Sequence, residues 1–341
     1  MCDFASRLEL LRNDKIVAEI HGETVVNYAD DAPILIKKGR FNDWKTIRTQ
    51  DLNRPNSRAL RRMLGLSTSN AQDVLPSIYY QSISDAYWLR PHGDGRTWAD
   101  IQFTDDRFFH ITLTGKKLLD NPKIYESPNS PEHSNTGSFE KGWRYVPSLK
   151  TKWQLWKAGS PEAVWSEIFY SKLANEIFPD IAVDYWEEDG FSVCNSFIDR
   201  EVGECLEPFY ALADSHDDPH LALNVLPVEV HETYKKMLFL DALMFNWDRH
   251  EFNFGLIRDK DDKISLHPLY DHNLALFNAA APTATRFEDT TIKMFKALSH
   301  PPYTITAHQI ELAYNATTPK IAATLSQTTD FLEQSLQLLR D

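Results

Sequence analysis

The chain has 341 residues, 42% hydrophobic and 25% charged, with a formal net charge of −13, an ordinary globular composition with room for one large two-lobed fold or two domains. The acidic balance argues against direct nucleic-acid binding, which needs clustered Lys and Arg, but leaves room for a local basic pocket. Cys2, Cys194 and Cys205 make neither a disulfide framework nor a zinc spacing, the first residues lack the order of a signal peptide, and no apolar run nears the roughly 20 residues that span a bilayer, so a cytoplasmic protein without membrane contact is expected.

In chain order, residues 16–20 (IVAEI), 24–28 (TVVNY) and 34–38 (ILIKK, after Pro33) read as strands of a small sheet. The second half of 51–66 reads as a helix with Leu60, Met63 and Leu64 on one face. Arg58, Arg61 and Arg62 lie mostly on the other, a solvated basic face. Segment 82–91 (SISDAYWLRP) has no chemistry of its own, and Tyr87 and Trp88 are read as packing residues.

Residues 121–141 are rich in Pro, Ser and Asn and form a loop. At its end Gly137 permits unusual backbone angles, and Thr136 and Ser138 bring hydroxyls beside free N–H groups, a turn able to cradle phosphate oxygens. With one glycine this is by itself a surface turn; its place ahead of the next strand pair makes it a candidate. That pair is 143–146 and 153–158, the second strand setting Gln154 and Trp156 on one face and Leu155 and Lys157 on the other. A lysine there can touch the α- and β-phosphates of ATP; Lys152 is the alternative.

Ser160 and Pro161 start a helix with an apolar face of Trp165, Ile168, Phe169, Leu173 and Ile177. Glu167, on the flank of that face, can pair with the strand lysine, with Glu162 as rival. Strands at 181–186 and 191–197, joined at 187–190, complete a five-stranded small lobe with one helix. Asn195 to Phe197 then forms a hinge whose backbone would meet adenine. An acidic stretch from Ser215 to His220 leads to a helix over 229–246, apolar nearly all round after Lys236, in which the buried Asp241 braces the loop after the helix.

That helix runs into NWDRHEFNFG, and a hairpin turning at 260–263 leads on to LHPLYDHN. Asp248 can orient a hydroxyl and take its proton, while Asn253 and Asp271, 23 residues after Asp248, can hold Mg²⁺ against an ATP tail. The hairpin sets both loops at one end of paired strands. His250 and Arg249 join Asp248 as catalytic candidates, although a hydrogen-bonding role is favoured for His250. Arg249 either meets phosphate or braces Asp248. Zinc-protease spacing and a Gly-x-Ser-x-Gly elbow are both absent. After Asp271 the pattern is mainly helical, ending in a helix over 321–339.

The order Asp248-x-His250-x-x-Asn253 and then Tyr270-Asp271 resembles the catalytic and metal-binding loops of the HipA-like protein kinases, and the first loop is also similar to that of phosphatidylinositol kinases. Segment 82–89 resembles one found upstream of the core in one branch of HipA-like proteins. Leu155 to Ser160 resembles their strand lysine and Gly-Ser turn, and 135–141 their phosphate-facing loop; the likeness covers about 82–290. It implies an α+β, two-lobed protein-kinase-like fold: an N-terminal extension (1–105), a small lobe (106–198) and a large, mainly helical lobe (199–341). It also implies a bacterial serine/threonine protein kinase using ATP and Mg²⁺ on a protein substrate, with Ser138 as autophosphorylation candidate. Some such kinases are toxins restrained by a DNA-binding antitoxin, which would be the partner here. A lipid or small-molecule kinase and a nucleotide-binding pseudokinase are the alternatives.

Overall fold

The computed structural model describes residues 7–116, 127–215, 217–276, 291–318 and 323–340. The chain divides into two compact units: Met1–Ala158 with Ser196–Glu207 and Arg258–Lys263, and Gly159–Asn195 with Pro208–Ile257 and Ile264–Asp341.

The first unit holds an antiparallel sheet of β1 (Arg7–Arg12), β2 (Lys15–His21), β3 (Thr24–Tyr28) and β4 (Tyr87–Pro91), in the order β3-β2-β1-β4. Alternation does not reveal β1, because residues 8–12 are buried without a break. The strand expected at 34–38 is a helical turn instead, α1 (Ile34–Lys37). Pro33 holds φ at −52°, and Glu207 accepts the Ile34 N–H at 2.6 Å, so a carboxylate distant in sequence caps the turn.

The SISDAYWLRP segment is structural. Asp85 accepts the Tyr87 N–H at 2.9 Å and a bond from Arg48 at 2.5 Å. The buried Tyr87 and Trp88 donate to Asp31 O (2.7 Å) and Asn13 O (2.6 Å), which turns two amphipathic aromatics into satisfied core residues. After α2 (Phe41–Thr46) comes α3 (Pro55–Met63), whose Leu60 packs with Phe108 and Ile111. The expected solvated basic face is only partly so. Arg61 is fully buried, paired with Asp73 and donating to Asn70 O at 2.6 Å, because the chain after α3 folds back over it.

Helices α4 (Trp98–Ile101) and α5 (Phe109–Thr114) precede the hairpin of β5 (Lys141–Tyr145) and β6 (Trp153–Lys157). Gly142 in β5 admits Phe109, whose ring would stand 2.8 Å from an added Cβ. Residues 121–126 of the expected loop lie outside the described residues; from 127 the chain is irregular except for a 3₁₀ turn at Pro131–Ser134.

In the second unit α6 (Pro161–Ile177) begins as expected, with the Ser160 hydroxyl accepting the Ala163 N–H at 3.2 Å. β7 (Tyr185–Glu188) and β8 (Phe191–Asn195) pair antiparallel across Asp189 (φ 53°) and Gly190 (φ 83°), a tight turn matching strand twist. The acidic stretch hides a helix, α7 (Pro219–Val225): Asp218 accepts the N–H groups of His220 and Leu221, with Pro219 in the first turn. α8 (His231–Leu243) is shorter than expected, preceded by a 3₁₀ turn, and buried without a break from Met237 to Leu243. A hairpin of β9 (Gly255–Arg258) and β10 (Ile264–Leu266) follows, then α9 (Thr291–Ala297), α10 (Ala307–Ala316) and α11 (Leu325–Arg340). α6 and α8–α11 share one core with Phe209 and Phe254, so α8 sits where its all-round apolar surface requires. No helix of the described residues is long and apolar enough to cross a membrane.

Candidate active site

In the second unit the site is built around α8. Its Asp241, fully buried, accepts hydrogen bonds from Tyr170 Oη (2.7 Å), Asn246 Nδ2 (2.8 Å) and the Arg249 fork (2.8 and 2.9 Å). The carboxylate thus holds down the start of the next loop, the bracing role its burial demands. Burial works to lower the Arg249 pKa, but the Asp241 charge and its hydrogen bonds lift it above the ordinary value.

Arg249 joins three segments. Besides Asp241 it donates from Nη1 to Asn253 O (3.0 Å) and to Tyr270 O (2.8 Å), and from Nη2 to His272 Nδ1 (3.4 Å). All five donors of the guanidinium are engaged. Expected either to meet phosphate or to brace Asp248, Arg249 takes Asp241 as its carboxylate partner. Through it the Asp248 loop is tied to the residue before Asp271.

The loop closes through Asn253, whose Nδ2 donates to Asp248 O (2.9 Å) and whose Oδ1 accepts the His250 N–H (2.9 Å). His250 is drawn in likewise, its Nδ1 facing the Phe252 N–H at 3.2 Å, which fits the hydrogen-bonding role favoured for it over a catalytic one. The paired hairpin ends (His267 N to Gly255 O, 3.1 Å) bring the Asp248 and Asp271 loops to one end of β9 and β10. Asp271 has φ 64°, a left-handed conformation uncommon for a residue with a side chain and frequent at functional sites. Glu167, fully buried on α6, accepts from Ser192 Oγ (2.9 Å) and from the His272 N–H (3.4 Å), the residue next to Asp271. Its rival Glu162 is exposed, and backbone and Ser160 hydrogen bonds at the helix start lower its pKa. Burial, then the charges of Cys194, Glu167 and Asp271, push the Tyr185 hydroxyl well above the usual tyrosine range.

The donors suit a hard cation. The Asn253 Oδ1 has two lone pairs and gives one to His250, and the half-exposed Asp271 supplies a carboxylate. Among the described residues no group of three or more His, Cys, Asp or Glu could hold a metal. An ion that shares its shell with phosphates and water needs only one or two protein ligands.

The first unit carries the other candidates. Lys157 is 3% exposed at the end of β6, whereas Lys152 is a turn residue (φ 62°) paired with Glu201 at 3.3 Å. Register places Lys141 of β5 directly opposite Lys157. Lys141 is not among the residues expected from the sequence; counting back across the 146–152 turn reaches it. Gly137 has φ 83°, and an added Cβ would stand 2.8 Å from the Lys141 ammonium, so the Thr136–Ser138 turn packs on a lysine. Thr136, Gly137 and Ser138 are exposed. Of the expected hinge, the chain leaves the second unit at Asn195, which is exposed, and Ser196 and the half-buried Phe197 belong to the first.

No family model matches the chain, and no curated protein matches it in sequence. The solved complex of the Shewanella oneidensis MR-1 toxin–antitoxin system, HipA with HipB and its operator DNA, contains a chain that aligns over 97% of this one and 96% of its own length, with TM-score 0.54 at 14% identity. This chain has the HipA fold. The Helicobacter pylori proinflammatory kinase CtkA aligns over 60% of this chain and 89% of its own, with TM-score 0.41 and 13% identity. The HipA fold is of the α+β, protein-kinase-like class expected from the sequence. In this chain's version of the HipA fold, one guanidinium ties the Asp248 loop to the Asp271 loop.

Proposed function

We propose that the chain is an ATP- and Mg²⁺-dependent protein kinase of HipA-like type, transferring the γ-phosphoryl group to a serine or threonine hydroxyl. One observation carries the reading: within the HipA fold, Arg249 holds the Asp248–Asn253 loop and the Asp271 loop at one end of a hairpin. In this reading Asp248 orients the attacking hydroxyl and accepts its proton. The hydroxyl oxygen forms the new bond to the γ-phosphorus as the bond to the β–γ bridging oxygen breaks and ADP departs. Asn253 and Asp271 hold Mg²⁺, which neutralises phosphate charge when bound. Lys157 and Lys141 take the α- and β-phosphates, Glu167 supports ATP binding, Gly137 and Ser138 face the phosphates, and the Asn195–Phe197 backbone meets adenine.

A polypeptide substrate is favoured over a lipid or small molecule by the surface beside Asp248. Trp247 and Phe252 are 50% and 43% exposed at the two ends of the closed loop, and Phe252 stacks on Tyr210 at 4.6 Å. Fixed, exposed aromatic faces suit the side chains flanking a target hydroxyl. Ser138 is the candidate for autophosphorylation, and a HipB-like antitoxin is the partner class the reading proposes. The location is cytoplasmic, and DNA contact is left to the partner.

The test is incubation with γ-labelled ATP, Mg²⁺ and bacterial lysate, followed by separation of protein from lipid and small molecules. Label in the protein fraction, lost in Asp248→Ala, is the expected result. Label confined to lipids or small molecules would select the other kinase class, and ATP binding without transfer would select the pseudokinase.

A further inference from the structure

The segment bearing Gly137 and Ser138 presents three exposed residues between two anchored ends, and the anchor comes from α3. Arg54, 2% exposed at the N-terminal boundary of α3, donates from Nη2 to Asn135 O (2.6 Å) and from Nη1 to Phe139 O (3.4 Å). One guanidinium therefore grips the carbonyls on both sides of Thr136–Ser138. Two further ties run the same way: Asp51 N–H to Asn135 O (3.0 Å), and Asn56 N–H to Glu140 Oε1 (3.0 Å), a carboxylate at the positive end of α3.

The Arg54 arrangement is not that of an ordinary structural arginine. Among the described residues it makes no ion pair, its two hydrogen-bonded partners are both carbonyls of this one segment, and its buried Nε has no acceptor. Burial lowers its pKa, while Glu132, Glu140 and Asp51 favour its charge. A buried cation with donors left over is costly where stability is its whole purpose.

We propose that Arg54 is a positioning residue for ATP: it fixes the separation of Asn135 and Phe139, and so holds the Thr136–Ser138 turn in the shape that receives phosphate. The inference rests on the kinase reading and gives α3, outside the catalytic loops, a part in nucleotide affinity. A preorganised turn binds more tightly because less ordering remains to be done on binding.

The test uses the full chain with Arg54→Lys, which keeps the charge but cannot span two carbonyls, and Arg54→Ala. Glu140→Ala severs a second tie should the arginine variants fold poorly, and Arg58→Ala in the same helix is the control. Two readouts are taken: native-state chymotrypsin cleavage after Phe139, without nucleotide, and the KM for ATP against kcat. Expected are faster cleavage and a KM raised about tenfold with kcat within about threefold, largest for Arg54→Ala, and no change in Arg58→Ala. Unchanged cleavage in folded variants would overturn the clamp, and faster cleavage with unchanged KM would overturn its role in positioning. A wild type that neither binds nor turns over ATP would sink the kinase reading instead, separately from the cleavage result.

Discussion

Arg249 and Asp241 show how a single buried pair can decide what a loop does. Arg249→Ala would leave the Asp241 carboxylate buried with its main partner removed, so a loss of about 3–5 kcal/mol in urea unfolding is expected. Asp248→Ala, at a half-exposed position, should change stability by about 0.5 kcal/mol or less. If the two variants were equally stable, Arg249 would not be a brace. A second residue-scale case is the neighbouring pair Glu132 and His133, both buried. Burial pushes the Glu132 carboxyl up to about 8 and the His133 imidazole down to about 3. Between about 3 and 6.5 the unfolded chain binds the His133 proton and the folded chain does not. Stability from this group is therefore full above pH 6.5 and lost as pH falls through that window. Glu132 acts oppositely, the folded state holding a proton from about 4.5 to 8, so its contribution falls as pH rises through that range. Among the described residues neither His133 nitrogen has a hydrogen-bond partner, and the ring lies edge-on to Phe108. His133→Phe should thus remove about 2 kcal/mol of the stability lost between pH 7.5 and pH 5. Thermal unfolding at the two pH values checks it; an acid slope identical to wild type would exclude His133 as its source.

At the scale of elements, the sequence was most readable where a local signal and the tertiary structure agree. Ser160 with Pro161 announces α6, and Asp189-Gly190 announces the β7–β8 turn, because each satisfies its own backbone. Ser160→Ala should cost about 1 kcal/mol, read as a lower melting temperature, and an unaltered melting temperature would mean that the cap bond is not formed. Elsewhere the deciding partner lay far along the chain. α1 depends on Glu207, more than 170 residues away, the burial of Arg61 depends on Asp73, and β1 is covered on both faces and so shows no alternation. Of the candidate site, the two acids, the amide and the strand lysine were legible as a pattern. Lys141 was not, since only register sets it opposite Lys157, nor were the bonds of Arg249, which reach carbonyls of two separate loops.

For the whole molecule the fold is that of HipA, while the ties within each unit are this chain's own: Arg249 between two loops, Lys141 under Gly137, and Arg54 across the turn. The proposed function carries dependence on metal as well as on the base. Asp271→Ala should lose Mg·ATP affinity along with turnover, and retained affinity would remove it as a ligand. Phosphoryl transfer based at Asp248, as proposed, is best tested by single-turnover transfer from γ-labelled ATP to protein by wild type and Asp248→Ala, both shown to be folded and to bind Mg·ATP. Transfer by wild type and a loss of about 10²–10⁴-fold in the variant, the usual worth of a positioned general base, are expected. Equal rates in the two proteins would contradict it.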